Sequence, residues 1–138
     1  MLCLAPLLLA GYAMTMNSSW HHGPNENGAI VEIQSCERGP AVHARMTTSG
    51  LYAAGLHYGL GTEVGPLTLT FQPRAGFSYV DHTNVNLPMG TQFELGLQGL
   101  VGYDRYRLGV DYWHMSNAGL KKPNIGMDML SLMVGVTF

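Results

Sequence analysis

Apolar and polar side chains alternate with a period of two over most of this chain. Successive side chains of a strand point to opposite faces, so each alternating segment predicts a strand with one apolar face. The clearest segment is Leu67 to Val80, where Leu67, Leu69, Phe71, Ala75, Phe77 and Tyr79 alternate with Thr68, Thr70, Gln72, Arg74 and Ser78. Thr91 to Tyr103 repeats the pattern, with Phe93, Leu95, Leu97, Val101 and Tyr103 against Gln92, Glu94 and Gln98. Leu108 to Ser116 and Asp128 to Phe138 follow suit. Upstream, Ala29 to Ser35, Ala41 to Thr48 and Gly50 to Gly61 read the same way. Pro73 cannot donate to a ladder, which predicts a bulge or irregular pairing there.

Strands of roughly ten residues with one apolar and one polar face are the signature of a transmembrane β-barrel. The connections agree. Turns near residues 36–40, 62–66 and 104–105 are short, whereas the stretches at 81–90 and 117–127 are longer. Bacterial barrels pair short periplasmic turns with long outer loops and carry an even number of strands. The expectation is an all-β, small antiparallel up-and-down transmembrane barrel of eight strands. Its first strand is placed in Met14 to Asn27, where the alternation is hardest to read. The closing run Val134, Val136, Phe138 resembles the C-terminal assembly signal of outer-membrane barrels. A soluble barrel would turn its apolar face inward. Charged residues make up only 12% of the chain, about half the usual share, which favours lipid outside. Glu32, Arg45, Arg74, Glu94, Arg107 and Asp111 would then form an interior ion-pair network. Tyr12, Tyr52, Tyr58, Tyr79, Tyr103 and Tyr112 would form aromatic girdles.

At 138 residues the chain is one domain. Residues 1–13 read as an export signal or its truncated remainder: Leu2 to Ala10 is apolar, and Gly11 to Ala13 offers a cleavage site. The other reading makes them part of a first strand. Residues 14–138 form the barrel domain. With Cys3 in a removed segment, Cys36 is expected as a lone thiol. Net charge is −2 with no basic stripe, which argues against nucleic acid as a partner. No His/Cys cluster has zinc spacing, so no metal or cofactor is expected. Trp20, His21 and His22 fall where a strand could end. Neighbouring strand residues face opposite ways, so a rim or loop role is expected for the two histidines. His43, His57 and His82 are expected to be structural or solvated.

The last two alternating segments carry the chemistry. His114 and Ser116 share a face with Leu108, Val110 and Tyr112, and Asp128 shares a face with Leu130, Leu132, Val134 and Val136. Paired as a hairpin, these strands bring His114, Ser116 and Asp128 to one end, beside the loop from Asn117 to Met127. Hydroxyl, imidazole and carboxylate are the three parts of a serine-hydrolase triad. Singly, each has an ordinary reading: an interfacial histidine, a strand-end serine, a loop carboxylate. Asn117, Gly119, Asn124 and Gly126 are common turn formers. Set together at one strand end, the three point to catalysis. If the apolar face meets lipid, the trio does too, and so expensive a placement predicts an amphiphilic substrate beside the barrel.

The run from His114 through Ser116, Asn117, Gly119 and Asn124 to Asp128 resembles the signature of the outer-membrane lipid A 3-O-deacylases. In that family a His-x-Ser-Asn motif is followed by a further Asn and by an acidic residue opening the last strand. The family's acid is Glu, whereas here it is Asp128, one methylene shorter. The resemblance implies an outer-membrane serine esterase that removes the 3-O-linked acyl chain of lipid A. Its partner would be lipopolysaccharide in the outer leaflet, and a homodimer is compatible with it. Ser116 would be the nucleophile, His114 the base and Asp128 its support. Asn117 and Asn124, or nearby loop N–H groups, would stabilise the oxyanion. Gly119 and Gly126 would let the loop approach the acyl chain. Lys121 and Lys122 would meet lipid A phosphates or serve as ordinary loop lysines. The rival expectation is a non-catalytic small barrel, an adhesin or structural protein.

Overall fold

A computed structural model describes residues 5–16, 26–83, 87–122 and 126–138, and over these the alternating segments fold as antiparallel strands. They are β1 (Leu7–Thr15), β2 (Gly28–Gln34), β3 (Gly39–Thr47), β4 (Leu51–Val64), β5 (Leu67–Val80), β6 (Gly90–Tyr103), β7 (Tyr106–Ser116) and β8 (Met127–Thr137). Each strand pairs with the next, and β8 returns to β1, so the eight close into a barrel. Closure leaves no unpaired strand edge, the condition for a sheet to sit in hydrocarbon.

The first strand departs from expectation. Leu7–Thr15, read in part as an export segment, is wall: it pairs with Gly28–Gln34 on one side and Met129–Thr137 on the other. The barrel therefore begins at Leu7, ahead of the Met14–Asn27 stretch. Alternation is hidden there because both faces are apolar. Leu8, Tyr12 and Met14 point outward, while Leu7, Leu9 and Ala13 are fully buried inside. The Trp20, His21 and His22 expectations lie outside the described residues. Cys36 is also corrected: it is disulfide-bonded.

The apolar face is the outer face. Leu56, Leu60, Phe77, Leu95, Val110, Leu132 and Val134 are each at least half exposed. Phe71, Phe93 and Leu97 join them at slightly lower exposure. In water that surface would be an aggregation site; in a bilayer it is the solvated surface. Tyr12, Tyr52, Tyr79 and Tyr112 ring the long-loop end, and Tyr58, Tyr103 and Tyr106 the short-turn end, all exposed. Tyr106, which the sequence reading did not assign, pairs with Tyr103 across the Asp104–Arg105 turn. Pro73 interrupts pairing without a bulge. Pairing of β4 with β5 lapses at Tyr58, Gly59, Gln72 and Pro73 but resumes in the same register, and pairing with β6 runs through.

Inside, the middle of the barrel holds the expected charges. Arg45 pairs with Asp111, with Glu94 at 3.0 Å and with Glu32 at 3.3 Å; Arg74 pairs with Glu32 at 2.6 Å and Asp111 at 3.2 Å. Arg107 reaches Glu37 at 2.6 Å nearer the turns. Gln34, Gln72 and Gln98 extend the network through side-chain hydrogen bonds. Buried charges persist only when so paired. Towards the long loops the interior turns apolar, with Ile30, Leu51, Val80, Trp113, Met115, Met127 and Met129 buried. The Arg45 guanidinium caps that layer, 4.6 Å from the Trp113 ring centre. The interior is thus polar at its waist and apolar under the site.

Candidate active site

Strand parity sends the site outward. On β7 the inward residues are Asp111, Trp113 and Met115, and the outward ones Tyr112, His114 and Ser116. On β8 Met127 and Met129 point in and Asp128 points out. Trp113 and Met115 anchor the strand from inside, with no exposed surface, and so fix the parity of the residues between them.

His114 and Asp128 are direct partners in the β7–β8 register, and Nδ1 of the imidazole lies 2.7 Å from Oδ1 of the carboxylate. Directly opposed residues have their Cβ atoms about 5 Å apart, which lets a short acid reach the ring. Both side chains stay some two-fifths exposed, outside the interior network. The same Oδ1 accepts a hydrogen bond from the Tyr112 hydroxyl at 2.8 Å. A proton on Nδ1 directed at the carboxylate would leave the Nε2 lone pair free to accept one.

Ser116 follows His114 by two residues on the same face, about 6.6 Å along the strand. Among the described residues the two are not hydrogen-bonded to each other. Gly126 lies against the other edge of the imidazole. Its φ is +81°, and a Cβ there would come within 2.8 Å of His114 Cε1 and 3.3 Å of Nε2.

Asn117 is held within its own loop. It is buried; its amide donates to the Lys121 carbonyl at 2.6 Å, and its side-chain oxygen accepts from the Gly119 N–H at 3.0 Å. These bonds shape the loop as an Asx turn, with Ala118 and Gly119 both at positive φ. Asn124 lies outside the described residues. Lys121 and Lys122 are exposed on the loop surface.

The sequence reading missed the cleft beside Ser116. Phe93 is the partner of Ser116 on β6, and its ring centre lies 5.6 Å from that of Phe77. Phe77, Phe93, Met89, Leu120, Asn117 and Lys121 line a cleft of about 380 Å³ between the wall and the two long loops. It is mostly hydrocarbon, with a lysine at its margin. Parity placed Phe93 on the right face, but loop positions such as Met89 and Leu120 carry no period that could have found them. No group of three His, Cys, Asp or Glu side chains that could hold a metal occurs among the described residues.

The family model for lipid A 3-O-deacylase (PagL) matches residues 7–137. Comparison with curated proteins gives no match. Among solved structures the chain is similar to the outer membrane enzyme PagL, at 15% identity and a TM-score of 0.56, covering 96% of this chain and 97% of that one. It is also similar to Neisserial surface protein A (NspA), at 15% identity and a TM-score of 0.59, covering 96% and 94%. At that identity the two structures speak for the shared barrel, and the family match, spanning β1 to β8, speaks for the lineage.

Proposed function

The chain belongs to the lipid A 3-O-deacylase family, and from that premise we propose that it is an outer-membrane serine esterase whose triad works on the lipid-facing side of the wall. The observation that carries the proposal is the His114–Asp128 pair, aimed outward on the same strand face as Ser116.

The substrate lies in the outer leaflet, its sugar at headgroup level and its acyl chains along the barrel. The Ser116 hydroxyl attacks the carbonyl of the 3-O-linked ester while His114 Nε2 takes its proton. Asp128 holds the ring in the productive tautomer and stabilises the imidazolium. The protonated imidazole returns that proton to the departing sugar oxygen, leaving the acyl chain on Ser116. A water molecule, deprotonated by His114, then releases the fatty acid. Asn124 and backbone N–H groups of the loop are the oxyanion donors, and Asn117 acts by shaping that loop. The Phe77–Phe93 cleft takes the scissile acyl chain, because it opens beside Ser116 and offers hydrocarbon walls. Lys121 at its margin suits a lipid A phosphate.

The test is lipid A mass spectrometry after expression in an outer membrane whose lipid A carries the 3-O chain. Loss of one hydroxyacyl chain, abolished by Ser116→Ala, is the expected result. An unchanged profile from a barrel shown to be folded would return the chain to the rival reading, a non-catalytic barrel.

A further inference from the structure

We infer that Tyr112 is a fourth member of the catalytic apparatus, a positioning residue that fixes the Asp128 carboxylate for His114. The inference rests on the serine-esterase reading above. Its basis is one oxygen with two donors: Asp128 Oδ1 lies 2.8 Å from the Tyr112 hydroxyl and 2.7 Å from His114 Nδ1.

The geometry follows from strand register. Tyr112 pairs with Leu130 and His114 with Asp128, so Tyr112 stands diagonally across from Asp128 on the same outward face. Diagonal neighbours are about 7–8 Å apart, a span a tyrosine ring covers and a shorter side chain does not. Tyr112 and His114 both stand on β7, and both reach across the strand pair to the same carboxylate oxygen on β8.

The acid needs that support. In a triad enclosed by protein, the carboxylate is held by several buried donors. Here Asp128 is nearly two-fifths exposed on an outer wall, and the Tyr112 hydroxyl is one of the donors that hold its carboxylate. A carboxylate turned away leaves the imidazole free to adopt the wrong tautomer, the most damaging failure of a triad acid. A hydrogen bond from a phenol to an ionised carboxylate is of the strong, charge-assisted kind and resists that rotation. An interfacial tyrosine ordinarily points its hydroxyl at water or headgroups. Tyr112 points its hydroxyl at the acid instead.

The experiment is a double-mutant cycle on the full-length barrel in detergent micelles, with Tyr112→Phe, Asp128→Asn and the double variant, and Ser116→Ala alongside. Phenylalanine keeps the ring and its lipid contacts, so the fold is retained. Tyr112→Phe is expected to lower kcat roughly tenfold with KM unchanged. On the Asp128→Asn background the same change is expected to cost less than about twofold, because its target is already gone. A readout independent of turnover is the hydrogen-bonded Nδ1 proton of His114, seen by NMR as a far-downfield resonance. It should be present in the wild type and in Ser116→Ala, and weakened or lost in Tyr112→Phe. Additive effects, an unmoved resonance, or a rise in KM at constant kcat would each make Tyr112 a mere lipid contact and overturn the inference. Full activity in Ser116→Ala would instead sink the esterase reading, leaving the resonance to decide the role of Tyr112.

Discussion

His114 and Asp128 face each other directly across the last hairpin, Nδ1 to Oδ1 at 2.7 Å, on the outside of a barrel whose waist buries Glu32, Glu94 and Asp111 within. Ion pairs at the waist hold the wall together; in the mechanism proposed above this one orients the base. Asp128→Asn should therefore leave folding and heat-modifiable mobility intact while lowering kcat by about 10³ to 10⁴-fold, the cost of a wrong imidazole tautomer. Initial rates on a purified lipid A substrate check it.

Two loop glycines at similar φ should respond differently. Gly119 (φ +80°) has open space where a Cβ would go, whereas at Gly126 (φ +81°) a Cβ would press on the imidazole. Both alanine variants carry the strain of a left-handed backbone. Only Gly126→Ala should displace His114, with a loss on the order of 100-fold in kcat. Gly119→Ala should keep most of its activity. Equal losses would mean that loop strain, rather than the ring contact, governs activity.

Filling the cleft should change chain-length selection. Met89 and Leu120 both line the cleft and are both exposed. Met89→Trp is expected to lower kcat/KM for a long-chain ester about tenfold or more, with a short-chain ester nearly unaffected. A parallel loss for both would place the acyl chain elsewhere.

The long loops carry a proton-dependent latch. His82 lies 2.6 Å from Asp81 and 2.8 Å from Glu26, tying the β5–β6 loop to the residues that lead into β2. The hydrogen bond to Asp81, then that to Glu26, raises the His82 pKa above its ordinary value. A raised folded-state pKa means stability fully present below about pH 6.5 and lost as the pH climbs through the higher folded value. Protease resistance of the loop end should fall across that window, and His82→Gln should flatten the dependence. The exposed histidine makes the effect modest and weaker at high salt.

Arg45 is the centre of the waist, bound to Asp111, Glu94 and Glu32 with no exposed side-chain surface. Arg45→Leu leaves three buried carboxylates short of a partner and should cost about 3–5 kcal/mol, read by urea unfolding in micelles. Activity per folded molecule should survive, since His114, Ser116 and Asp128 lie on the other side of the wall.

Strand parity carried most of the fold. It was legible wherever one face was polar, as in β5 and β6, and it set His114, Ser116 and Asp128 on one surface before any coordinates. It failed at β1, where Leu7 and Leu9 inside and Leu8 and Tyr12 outside left no contrast to read. It also missed the apolar layer of Trp113, Met115, Met127 and Met129, because a barrel this narrow fills its end with side chains rather than water. The site was legible as residue types at a spacing. Besides the cleft, two side-chain placements were not: that Asn117 turns back into its own loop, and that Tyr112 reaches the acid. Both depend on side-chain direction across strands, which periodicity does not encode.

Because His114 and Asp128 stand on the outer wall, the proposed reaction would take place in the plane of the leaflet. On that proposal a lipid arrives by sliding in the plane of the leaflet, and both products depart the same way. Turnover then follows the mole fraction of substrate in its own monolayer, and diluting that monolayer with inert amphiphile should slow the enzyme even when bulk concentration is held fixed.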